Sequence, residues 1–82
     1  MIVEKEIIKI LREEILQDES FQIDSEADLL TTGTLDSMAL VRLVAAIEAK
    51  YKIKIPPTDL VIENFLNIQS IQAYVLKRIG NQ

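Results

Sequence analysis

The sequence has no cysteine, no histidine and no tryptophan, only two glycines and two prolines, and no apolar run long enough to span a bilayer. Without cysteine there is no disulfide to staple a small core, no thiol nucleophile and no soft metal ligand. Without histidine the commonest general acid–base group is missing, and a Ser-His-Asp hydrolase is excluded by inventory. Carboxylates and lysines remain, but 82 residues are too few to enclose a deep pocket. Nine Lys and Arg stand against thirteen Asp and Glu, for a net charge of −4, and no basic cluster relieves it. Nucleic acid would therefore meet repulsion.

What is present describes a folded domain. Hydrophobic residues make up 49% of the chain and charged residues 27%, a balance unlike that of a disordered tail. The length predicts one domain over residues 1–82, and no repeat or Pro/Gly-rich linker divides it. Met1 leads into a mixture of Ile, Glu and Lys that does not resemble a signal peptide, so a cytoplasmic protein is expected; a monomer is expected as well.

The apolar periodicity predicts an all-α fold: a small four-helix bundle of three main helices and one short one, with a long loop after the first. In the first helix, about Ile2 to Leu16, Val3, Ile7, Ile10, Leu11 and Ile15 share a stripe, and charged residues lie off it. A polar connection follows from about Gln17 to Asp36. Phe21, Ile23 and the Leu29–Leu30 pair are expected as its anchors in the core, and Thr31 to Thr34 as a turn. The second helix is predicted over 37–51, with Asp36 as its N-cap. Ile53 and Ile55 alternate around Lys54 before Pro56 and Pro57 end the segment. A short helix falls within Thr58 to Leu66. The last helix, Ile68 to about Ile79, is capped by Asn67 and stopped by Gly80, with Ile68, Ile71, Val75 and Ile79 on the core face and Tyr74 extending it.

The second helix carries two apolar faces. At about 100° per residue, Leu40, Leu43, Val44, Ile47 and Tyr51 gather in one arc, which must face the core. Met38, Val41 and Ala45 gather in another. A helix in a small bundle buries one side, so this second arc is expected to be exposed, and an exposed apolar patch marks a partner site. Ser37 opens the same face at the positive end of the helix, where an attached phosphate group is favoured.

Gly33-Thr34-Leu35-Asp36-Ser37-Met38, at the start of a helix flanked by these elements, resembles the attachment motif of the phosphopantetheine-dependent acyl and peptidyl carrier proteins. The resemblance extends over almost the whole chain. It includes Asp28-Leu29-Leu30, Leu40 to Val44, Ile53 to Pro57, Asp59-Leu60, Glu63-Asn64-Phe65 and Ile68 to Ile71. It implies a non-catalytic carrier with a covalent 4′-phosphopantetheine, taken from coenzyme A, on Ser37. Asp36 would cap the helix and help the modifying transferase, near the metal which that enzyme uses. Met38, Val41, Arg42 and Ala45 would be partner contacts, and no metal site belongs to the chain itself. The implied partners are a phosphopantetheinyl transferase, an acyl- or aminoacyl-activating ligase or acyltransferase, and downstream biosynthetic enzymes.

Met38 replaces the usual Leu of the motif, a change that conserves volume and apolarity. The second helix carries Arg42, Glu48 and Lys50 in place of the carboxylate row typical of fatty-acid carriers. That difference, with the pattern around Asp59 and Glu63, points towards polyketide or nonribosomal-peptide types of pathway, with a fatty-acid carrier as the alternative. Two rivals come from other classes. One is a helical docking module without a prosthetic group. The other is a small enzyme using Asp24, Glu26 or Asp28 as acid–base groups.

Overall fold

A computed structural model describes residues 2–80 except Glu19, Phe21 and Ile23, so the anchors expected at Phe21 and Ile23 lie outside the described residues. Helix α1 spans Ile2–Ile10 and runs directly into a π-helical stretch, Leu11–Ile15. Helix α2 spans Ser37–Tyr51, α3 spans Ile62–Phe65 and α4 spans Ile68–Gly80. A 3₁₀ turn at Pro57–Asp59 precedes α3, and no strand occurs among the described residues.

The change of pitch in the first helix has a cause in the spacing. Its apolar residues at 3, 7, 11 and 15 recur every four residues, which in an α-helix drifts by about 40° at each step. The wider π turn takes that drift back, and Ile7, Ile10, Leu11 and Ile15 all reach the core. The Leu16 amide closes the stretch on the Leu11 carbonyl at 2.7 Å, and the Asp18 amide follows on Arg12 at 2.8 Å. Gln17 takes the left-handed conformation between them.

Helix α2 buries Leu43, Val44 and Ile47, with Leu40 and Tyr51 packed at the edge of the core. Helix α4 buries Ile68, Ile71, Tyr74 and Val75. Ile79 departs from the expected core face and is 38% exposed. Two successive four-residue steps after Ile71 carry it about 80° off the stripe, and Tyr74 fills the interior in its place. The Asn67 side chain caps α4 by accepting the Ser70 amide at 2.7 Å.

Between α2 and the 3₁₀ turn, Ile53 and Ile55 are buried and Lys54 is exposed, a strand-like alternation with no partner strand among the described residues. Glu48 takes the place of a neighbouring strand. Its carbonyl accepts the Lys52 and Ile53 amides, and its carboxylate accepts the Ile55 amide at 2.8 Å. The buried residues of all four helices and of this segment form one apolar cluster.

Candidate functional site

The loop ahead of α2 is a built structure. Leu29 and Leu35 are both buried, and the Leu35 amide donates to the Leu29 carbonyl at 2.7 Å, so the two anchors pin the base of the loop together. The Leu29 amide in turn donates to the Leu66 carbonyl just past α3, also at 2.7 Å. Between the anchors the Asp28 carboxylate accepts the amides of Leu30 and Thr31, each at 2.9 Å, and the Thr31 hydroxyl. These bonds, the Thr31 hydroxyl first, hold the Asp28 carboxyl below the usual carboxylate range. Thr32 donates to the Asp28 carbonyl at 2.8 Å, and Gly33 supplies the positive φ of 82° that the turn needs. The base of the loop is thus tied to the residue that follows α3, and the chain leaves it from the buried Leu35 into Asp36.

Asp36 is extended, and its carboxylate accepts the Ala39 amide at 2.8 Å while its carbonyl accepts that of Leu40. Ser37 is the first helical residue and is exposed. The amides of Ser37 and Met38 precede the first intrahelical hydrogen bond, so they and the helix dipole favour a phosphate group at the Ser37 oxygen. Of the four serines, Ser25 and Ser70 are half-buried, and the Ser20 hydroxyl is engaged by Asp18 at 2.6 Å. Ser37 alone combines exposure with the start of a long capped helix.

Beside it the second apolar face of α2 lies open. Met38 is 72% and Val41 57% exposed, and Ala45 is exposed one turn further on. Arg42 sits at the edge of this patch, but its guanidinium reaches across to the π-helical stretch and donates to the Glu14 carbonyl at 2.7 Å. No pattern in the sequence marks that contact directly. Its indirect signal was the strict four-residue apolar spacing, which marks a widened turn whose carbonyls need outside donors.

Two of the three acidic residues considered for acid–base chemistry have structural uses. Asp24 caps a turn by accepting the Glu26 amide at 2.9 Å, Asp28 caps the next, and Glu26 is exposed. Among the described residues no group of three or more His, Cys, Asp or Glu side chains is placed to hold a metal ion, and no helix is long and apolar enough to cross a membrane.

Comparison with known proteins agrees with this geometry. A family described as a phosphopantetheine attachment site matches residues 5–75. A D-alanyl carrier protein of Abiotrophia defectiva is 29% identical over 78 residues, covering 95% of this chain and 98% of the relative. D-alanyl carrier proteins of two Streptococcus thermophilus strains, ATCC BAA-491 / LMD-9 and CNRZ 1066, are each 36% identical over 59 residues, 72% of either chain. These findings remove the docking module without a prosthetic group and the small enzyme as readings of the chain. With an exposed serine at a capped helix start and a family match over most of its length, the chain belongs to the phosphopantetheine-dependent carrier proteins, non-catalytic acyl carriers that bear a covalent 4′-phosphopantetheine and work with a transferase and ligases.

Proposed function

We propose that Ser37 bears the arm and that the cargo is a D-alanyl or similarly small aminoacyl group. The observation that carries the first half is the exposed Ser37 hydroxyl at the Asp36-capped start of α2. The names of the relatives support the second half. They favour a single D-alanyl group over the growing chains of polyketide or nonribosomal-peptide pathways, and the mixed charges of α2 separate the chain from typical fatty-acid carriers. The arm, when attached, supplies a terminal thiol on which a carboxylic acid is held as a thioester.

The chain's own residues do the rest. Asp36 fixes the helix start, so the Ser37 oxygen is held outward for the transferase. The anchored loop keeps that oxygen at one place relative to α3. Met38, Val41 and Ala45 offer a small apolar surface suited to brief encounters with successive enzymes. A monomer in the cytoplasm, where an ATP-dependent ligase has its substrate, fits this role.

The test is intact mass after incubation with coenzyme A and a broad-specificity phosphopantetheinyl transferase, followed by D-alanine, ATP and a D-alanine-activating ligase. One arm, then one D-alanyl group, is expected, with no comparable loading of L-alanine. An arm without D-alanine, but with efficient loading by ligases for other carboxylic acids, would overturn the cargo and leave the carrier. No arm on folded protein would overturn the assignment of Ser37.

Val41→Asp places a charge in the middle of the exposed patch. Ligase loading is expected to fall by about tenfold or more, as when a charge is set into an apolar contact. Stability should move by no more than about 0.5 kcal/mol, as for a surface substitution. Loss of several kcal/mol in urea unfolding would show instead that Val41 supports the core.

A further inference from the structure

We infer that Arg42 is a positioning residue: its guanidinium clamps the π-helical end of α1 onto the attachment helix and thereby sets the approach to Ser37. The inference rests on Ser37 as the site of attachment. A π-helical turn at a C-terminal end leaves carbonyls without intrahelical partners. In this stretch the Leu11 and Arg12 carbonyls accept the amides of Leu16 and Asp18, and the Glu14 carbonyl accepts from Arg42 on the neighbouring helix, at 2.7 Å. A cation at the negative end of a helix also gains from the dipole, and a charged donor makes a stronger hydrogen bond than a neutral one.

The placement links three parts of the site. Arg42 lies little more than a turn beyond Ser37 on α2 and one helical turn from Met38. Its target lies where α1 gives way to the long loop that returns at Asp36. Because the guanidinium is directed at the π-helical stretch, it stays off the apolar face of Met38, Val41 and Ala45. A partner approaching Ser37 therefore meets a face free of that cation and a loop whose start is tied down. Arg42 acts on partners through this arrangement and not by touching them.

Amide hydrogen exchange on the free protein, together with transferase kinetics, tests this on wild type, Arg42→Ala and Arg42→Lys. In Arg42→Ala the exchange of the Leu16 and Asp18 amides should rise by about tenfold, the loss expected of a charge-assisted hydrogen bond at a helix end. The KM for the unmodified carrier should rise roughly three- to tenfold with kcat unchanged, the split expected when only the encounter geometry is disturbed. Lysine keeps a charged donor, so Arg42→Lys should fall between the two on both readouts. A raised KM with unchanged exchange would identify Arg42 as a direct contact and overturn the inference. Raised exchange with unmoved KM would reduce it to a structural bond and also overturn it. Wild type that takes up no arm at Ser37 would overturn the site assignment instead, and the exchange result alone would then report whether the clamp exists.

Discussion

Ser37→Ala is expected to abolish uptake of the phosphopantetheinyl group while leaving the fold in place. On the proposed assignment the reaction needs the Ser37 oxygen, and alanine supplies none, so the loss should be complete. Structure gives little reason for the variant to unfold. The side chain is exposed at the first position of α2, and the cap that orders this turn comes from Asp36. Alanine is at least as good a helix former as serine, so the change in stability should stay within about 0.5 kcal/mol. Mass spectrometry and circular dichroism on the same sample read the two quantities separately. Persistent modification of the variant would transfer the site to another serine. Global unfolding would show that Ser37 has a packing role which its exposure does not suggest.

Much of this site was legible because it rests on local chemistry. Asp before an apolar helix predicts a cap, and the Asp36 carboxylate takes the Ala39 amide as expected. The two apolar arcs of α2 separate by geometry alone, and the structure buries Leu43 and Ile47 while exposing Met38 and Val41. The Ile53–Lys54–Ile55 alternation is legible in the sequence, but the burial of both isoleucines is a finding of the structure: no sheet occurs among the described residues, and Glu48 supplies the acceptors a neighbouring strand would. What escaped the sequence involves bonds between residues distant along the chain. The Leu29–Leu66 link has no local pattern, and the four-residue apolar spacing marks the widened turn at Glu14 but not Arg42 as its donor, since each bond depends on how helices pack. Ile79 shows the opposite failure. Its spacing suits the core stripe in a short window, but accumulated rotation carries it out to solvent.

Phe65→Ala should cost about 3–5 kcal/mol, the usual range for emptying a buried phenyl site. At the common scale per residue, a chain of this length has only about 4–12 kcal/mol of total stability, so the variant should be close to unfolding. Phe65 is fully buried, and its ring meets that of Tyr74 at a centroid distance of 5.6 Å and a tilt of 52°. Tyr74 itself is held by its hydroxyl on Asp59 at 2.5 Å, and burial, then that carboxylate, pushes its phenol up to about 12. Removing the phenyl therefore loosens α4 and the 3₁₀ turn together. Helix α3 is a single turn that cannot hold its shape alone. Its end supplies the Leu66 carbonyl that anchors Leu29, and through Leu29 the base of the loop leading to Asp36. Urea unfolding should show the loss in stability, and under native conditions the Leu29 amide should lose exchange protection before the amides at the centre of α2. A cost below about 1 kcal/mol, well short of a typical cavity penalty, would mean that α3 is placed by its hydrogen bonds and not by its phenylalanine. Retained protection at Leu29 would mean that the loop carrying Asp36 is set independently of α3. If both losses occur together, the site at Ser37 owes its position to a buried ring on another helix, and variants there should reduce modification without touching the serine.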